Sequence, residues 1–162
     1  MQKKYSVVVV GMGKRGMHHA AAFEANPRFT LAGICDIDQA RLDAAAAKLG
    51  SPRTSTDAAA LTAELKPDVF CFCTMPHLRL PFIDLAIANG AKLVAFEKPV
   101  ADSSAAGLAI RDKIAASGIK AVVSHQHRYG PHYRKVKEIA ASGALGRVHT
   151  IYASTPGWMM HM

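Results

Sequence analysis

The sequence predicts an α/β fold: a parallel sheet, doubly wound, with helices on both faces. Three observations predict it. Apolar runs of five or six residues alternate with helix-length stretches along the chain, the pattern of repeated strand–helix–strand units. The runs are nearly continuous in apolar residues, as strands buried on both faces require. The first run, Val7 to Val10, breaks at once into Gly11, Gly13 and Gly16, a turn that leads a strand into a helix.

Ser6–Val10 is the first predicted strand, and Lys14–Ala25 is the helix that opens inside the glycine turn. Thr30–Cys35 is the second strand and runs into Asp36. The alanine-rich stretch Gln39–Lys48 is a helix, with Asp38 as its N-cap and Gly50 as its stop. Asp57–Leu65 is a second alanine-rich helix, with Thr56 as the candidate cap. Val69–Cys73 is a strand that places Cys71 and Cys73 on one face. Leu80–Asn89 is a helix stopped by Gly90, and the strand Lys92–Phe96 follows. Ser103 caps a helix over Ser104–Ala116 that Gly118 stops, before the strand Lys120–Ser124. His132–Ala141 is the last helix, with Gly143 as its stop. Ligands of such a sheet bind beyond the carboxyl ends of the strands. There the sequence puts Asp36, Thr74, Glu97-Lys98 and His125-Gln126-His127-Arg128.

Composition bounds the function classes. A chain of 162 residues is about one domain. Half of its residues are hydrophobic and 20% are charged, as in a globular protein. No apolar run reaches the roughly 20 residues of a membrane span, and the N-terminal MQKKYS does not read as a signal peptide. Cys35, Cys71 and Cys73 lack the C-x-x-C spacing of zinc or redox sites. They read as buried free thiols, so no metal is expected and a cytoplasmic location fits. The net charge of +8 invites a nucleic-acid reading. The basic residues are scattered, however, and no aromatic platform interleaves them. Neither nucleic acid nor membrane is therefore an expected partner.

The glycine turn carries the chemistry. Gly11, Gly13 and Gly16 have the G-x-G-x-x-G spacing, and Asp36 stands twenty residues after Gly16, past the second strand. In this Rossmann fingerprint Gly11 lets the chain turn off the strand. Gly13 clears the backbone for a pyrophosphate, and Gly16 lets the helix sit close to the strand. The helix start offers free N–H groups and a partial positive charge. Asp36 would accept hydrogen bonds from a ribose diol and repel a 2′-phosphate, which favours NAD over NADP. A second motif, Glu97-Lys98-Pro99, ends the Lys92–Phe96 strand. Spacing alone leaves two readings of it, and favours the first. One is an exposed turn with an ordinary Glu–Lys pair. The other is a lysine held by a rigid proline and reaching into the cleft.

Together these motifs resemble the glucose–fructose oxidoreductase, inositol dehydrogenase and rhizopine-catabolism family, written Gfo/Idh/MocA. The resemblance rests on four segments in order: VVVVGMGKRG…CD, VFCFCTMPHLRLPFIDLAIANGAKLVAFEKPVA, VVSHQHRYGPHYRKVKEIAASGALGRV and HTIYAS. They cover nearly the whole chain. The resemblance implies an oxidoreductase that uses NAD or NADP on sugars, polyols or related alcohols. It implies Gly11, Met12, Gly13, Lys14, Arg15 and Gly16 at the pyrophosphate and Asp36 at the adenosine ribose. Thr74, Met75 and Pro76 would border the cofactor, and Glu97 would lie beside the nicotinamide. Lys98 would contact the reacting substrate oxygen, and Arg128 of the His127-Arg128-Tyr129 segment would face the cleft.

Two departures stand out. Arg79 occupies a position where the family commonly has histidine, and neither it nor His77 is given a role. The family also continues for about as many residues again, into an open-sheet domain with an Asp-and-His pair that completes the site. The expected domains are therefore residues 1–125, the dinucleotide-binding domain, and 126–162, a crossover helix and first strand (Arg147 to Ser154) of a truncated second domain. That strand is expected to be disordered or to pair with a second copy, which would make a homo-oligomer. Trp158 to Met162 receive no role. By itself the chain is expected to be catalytically incomplete. Two other functions remain open: a stand-alone NAD-binding regulatory module, and the front domain of an NAD-dependent glycosidase.

Overall fold

The structure is a computed structural model, and it describes residues 3–154. It divides into two compact units, Met1–Ser124 and His125–Met162.

The first unit begins with β1 (Tyr5–Val10), whose valines lie at or near zero exposure. α1 (Lys14–Ala25), β2 (Phe29–Cys35) and α2 (Gln39–Ala46) follow. A short β3 (Arg53–Ser55), α3 (Ala58–Leu65) and β4 (Val69–Phe72) come next. A 3-10 turn at Pro76–Leu78 leads into α4 (Arg79–Ala88). β5 (Leu93–Glu97), α5 (Ser104–Ser117) and β6 (Lys120–Ser124) complete the unit. The six strands form one sheet in the order β3-β2-β1-β4-β5-β6, and each adjacent pair is parallel. The order reverses after β3, where the chain crosses from the β2 side of β1 to β4. A ligand crevice forms at such a switch point.

The core explains the double winding. Successive side chains of a strand face opposite ways. Val7 and Val9 pack with Ile34 and Cys71 against Ala20 of α1 and Leu42 and Ala45 of α2. Val8 and Val10 pack with Phe70, Phe72, Val94 and Phe96 against Leu61 of α3, Ile83 of α4 and Ile110 of α5. The predicted fold class and the five strands predicted for the sheet up to Ser124 are present, with ends shifted by a residue or so.

Four local features differ from the sequence reading. β3 was not predicted. It is three residues, Arg-Thr-Ser, with no apolar signal, and it exists because Gly33–Cys35 offers it a ladder. The N-cap of α3 is Asp57 rather than Thr56: the Asp57 carboxylate accepts from the N–H groups of Ala59 at 2.8 Å and Ala60 at 3.0 Å. α2 ends at Ala46, and Ser51, not Gly50, takes positive φ in the turn that follows. Finally, the predicted strand Arg147 to Ser154 is not a strand. A strand needs a neighbour to bond to, and among the described residues that stretch has no ladder partner.

The second unit holds a 3-10 turn at Gln126–Tyr129 and α6 (Pro131–Ala141), with Pro131 in the first turn. Its His127 and Tyr133 rings meet edge to face at 5.6 Å. Trp158 to Met162 lie outside the described residues.

Candidate functional site

Gly11 turns the chain off β1 at φ +89°, and a Cβ there would stand 2.8 Å from the Cys73 carbonyl oxygen. Only glycine allows the end of β1 to lie so close to the end of β4. A Cβ on Gly16 would fall 1.7 Å from the Gly11 carbonyl oxygen, so α1 rests directly on the turn. Gly13 differs in kind. It is the N-cap of α1, has no side chain to cap the helix, and would carry a Cβ that meets nothing within 4 Å. The space above it is open, and the unpaired N–H groups of the first helical turn have no capping side chain. No acidic residue stands in that turn, and Lys14 and Arg15 are exposed in it. Open space, amide donors and two cations fit a pyrophosphate.

Asp36 ties the end of β2 to this loop. Its Oδ2 accepts from the Met12 N–H at 2.6 Å, and its Oδ1 accepts from the Asp38 N–H at 3.0 Å. Met12 turns its side chain into the core, so it shapes the loop through its backbone. Asp36 is 6% exposed, while the adjoining Ile37 is almost fully exposed.

The ends of β4 and β5 meet around one guanidinium. Arg79 is 1% exposed. Its Nη1 donates to the Thr74 carbonyl oxygen at 2.8 Å, and its Nη2 donates to the Glu97 carbonyl oxygen at 2.8 Å and the Pro99 carbonyl oxygen at 3.4 Å. Its central carbon lies 5.7 Å from the Phe72 ring centre and 5.6 Å from that of Phe96. Burial pulls the guanidinium down from its ordinary proton affinity, against the opposing pull of Cys73 and Glu97. Among the described residues, the buried Arg79 Nε and Thr74 hydroxyl have no hydrogen-bond partner.

Glu97, the last residue of β5, is 7% exposed. The His19 Nε2 of α1 lies 2.9 Å from its Oε1. Burial pushes the Glu97 carboxyl up, but His19, the Ser124 hydroxyl of β6 and the Arg15 charge outweigh it, and the carboxyl sits below its ordinary value. Lys98, the next residue, is exposed, and so are Met75 and His77. The exposed side chain of Lys98 leaves the fold at the carboxyl edge of β5.

The structure thus brings Gly11 to Gly16, Asp36, Thr74 to Pro76 and Glu97-Lys98 to the carboxyl ends of four adjacent strands, β2, β1, β4 and β5. Arg128 belongs to the second unit, in its 3-10 turn. His19 and Arg79 were not assigned by sequence. A signal for His19 was present: one helical turn after Gly16 it shares the face that rests on the sheet. At the opposite end of the strands lies a hollow of about 760 Å³, lined among others by Tyr5, Phe29, Asp68, Lys92 and Ile119. None of the fingerprint residues lines it.

Comparison with known proteins agrees with this geometry. The profile of the GFO_IDH_MocA family, described as an oxidoreductase family with an NAD-binding Rossmann fold, matches residues 5–125. A protein of Sinorhizobium fredii, "Uncharacterized protein y4oX", is 30% identical over 154 residues, which cover 91% of this chain and 42% of that protein. The inositol 2-dehydrogenase of Rubrobacter xylanophilus is 30% identical over 146 residues, 89% of this chain and 42% of the enzyme. Among solved structures, an oxidoreductase from Agrobacterium radiobacter in complex with NAD+, L-tartaric acid and magnesium superposes with a TM-score of 0.83 at 25% identity. That match covers 90% of this chain and 42% of the other. The chain therefore spans less than half the length of these relatives. With the family profile matched over the whole six-stranded unit, the chain belongs to the Gfo/Idh/MocA oxidoreductase family and carries its NAD-binding Rossmann domain.

Proposed function

We propose that this chain is the cofactor-binding part of a dehydrogenase acting on a polyol such as inositol, and that it prefers NAD to NADP. One observation carries the reading: the open phosphate cradle at Gly13 and the exposed Lys98 lie on the same carboxyl edge, separated by β4. The likeness to an inositol 2-dehydrogenase supports the substrate class. When bound, the cofactor supplies the hydride acceptor or donor for the carbinol carbon.

The protein's own residues have distinct tasks. The amides and cations of the first turn of α1 neutralise the pyrophosphate. Asp36 is built into the loop by two backbone N–H groups, so its negative charge is held at the end of β2. A ribose diol placed there would donate to it, whereas a 2′-phosphate would meet like charge. Thr74, Met75 and Pro76 wall the cofactor on the β4 side. Lys98 donates a hydrogen bond to the substrate hydroxyl oxygen, orienting and polarising it. Glu97, engaged by His19, anchors the strand end from which Lys98 projects.

Titration calorimetry with NADH and NADPH tests the reading. NADH is expected to bind about tenfold or more tightly than NADPH. Equal affinity, or a preference for NADPH, would overturn the assignment of Asp36.

A further inference from the structure

We infer that Arg79 is a positioning residue for the catalytic turn: its buried guanidinium, bonded to the carbonyls on either side of Lys98, sets where that lysine and the nicotinamide half of the site stand. The inference rests on the reading of Lys98 and the cofactor given above.

The bonding pattern is specific. Lys98 lies between Glu97 and Pro99, and the carbonyl oxygens of both neighbours accept from the same Arg79 nitrogen, Nη2. With both carbonyls directed at one buried group, the main chain from 97 to 99 has one orientation. The Lys98 side chain is left to project into solvent. The other arm of the guanidinium, Nη1, holds the Thr74 carbonyl. One side chain at the start of α4 therefore links the end of β4 to the turn after β5. These are the two segments that border the cofactor beyond its pyrophosphate.

Packing alone does not account for an arginine here. The site is apolar, with the Phe72 and Phe96 rings stacked 5.2 Å apart and Arg79 against both. An apolar side chain of similar volume would fill it without the cost of desolvating a cation. It could not direct three carbonyls. Lysine could not either, because a single ammonium lacks the planar fork that reaches separate acceptors.

Arg79→Met and Arg79→Lys test this in the full chain. Ile110→Ala, a buried change in α5, serves as a control for lost stability alone. The probes are NADH and ADP-ribose, titrated by calorimetry. ADP-ribose shares the adenosine and pyrophosphate contacts and lacks the nicotinamide ring. Backbone hydrogen exchange over residues 97–100 is read in parallel. In the wild type NADH is expected to bind more tightly than ADP-ribose. Both Arg79 variants should lose about tenfold or more in NADH affinity, with ADP-ribose changed by less than about twofold, and exchange at 97–100 should accelerate. Ile110→Ala should leave the ratio of the two affinities unchanged. An unchanged ratio in folded Arg79 variants would overturn the inference while leaving the cofactor reading intact. So would equal binding of NADH and ADP-ribose by the wild type. Failure of both variants to fold would assign Arg79 to stability alone. If the wild type binds neither probe, the cofactor reading itself falls, and the inference with it.

Discussion

Gly13 and Gly16 are three residues apart and have opposite reasons to be glycine. Gly13 has φ −67° and ψ −174°, a conformation open to any L-residue, and faces empty space. Substitution there should leave the fold alone and fill the room a pyrophosphate needs. Gly13→Val is therefore expected to retain its circular dichroism and melting temperature while losing cofactor-induced fluorescence; retained binding would mean that this loop is not the phosphate cradle. Gly16→Ala should behave the other way. Its methyl would overlap the Gly11 carbonyl, so the helix must move off the strand at a cost of roughly 1–3 kcal/mol or more. Denaturant titration of the two variants separates the functional glycine from the structural one. The spacing of the three glycines was legible in sequence, and so were the turn at Gly11 and the close helix approach at Gly16. What was not legible was that Met12 spends its N–H on Asp36, because that bond spans 24 residues.

At the scale of elements, two anchors invite measurement. α3 is capped by Asp57, whose carboxylate accepts from two N–H groups and whose own N–H donates to the Ser55 hydroxyl oxygen. Asp57→Ala should cost about 1 kcal/mol, within the usual range for a lost N-cap. Thr56→Ala should cost little, and chemical denaturation distinguishes the two. The sequence pointed to Thr56 as the cap, and only the turn after β3 puts Asp57 there instead. The second anchor is Glu97, which joins β5 to α1 through His19. Its carboxyl is held below the ordinary value of 4.5. A depressed carboxylate contributes stability that is present above its unfolded value and is lost as pH falls through the folded one. The wild type should thus lose this contribution below about pH 4.5. Glu97→Gln should be less stable at neutral pH and show a shallower loss on acidification. Unfolding free energies measured at pH 7 and at pH 3 check this; identical slopes for the two proteins would remove Glu97 from the anchor.

For the whole molecule, the unit containing the sheet is an NAD-binding scaffold, and Lys98, proposed above to meet the substrate, sits exposed at its edge. On the family resemblance, the substrate pocket and the proton acceptor come from sequence outside the span matched here, which is 42% of the relatives' length. Positioning and acid–base assistance are each worth several orders of magnitude. The 162-residue chain with NAD and a panel of polyols is therefore expected to show turnover at background. Light scattering run beside the assay reports whether a second copy pairs with an exposed edge such as β6. Robust turnover by a monomer, abolished by Lys98→Met, would show that the chain is sufficient by itself.

The sequence by itself determined the doubly wound sheet, the succession of its five longer strands, the glycine fingerprint and the Glu97-Lys98-Pro99 step. These follow from local rules: the period of apolar residues, the conformations open to glycine, and the helix start that a phosphate seeks. The tertiary structure decided the rest. It paired His19 with Glu97 across 78 residues and placed the Arg79 guanidinium on the Glu97 carbonyl across 18. It also made a strand of Arg53–Ser55 and none of Arg147 to Ser154. In each case the deciding partner lies on another element. A buried polar group or an edge strand takes its place from the donor, acceptor or ladder that the fold brings beside it.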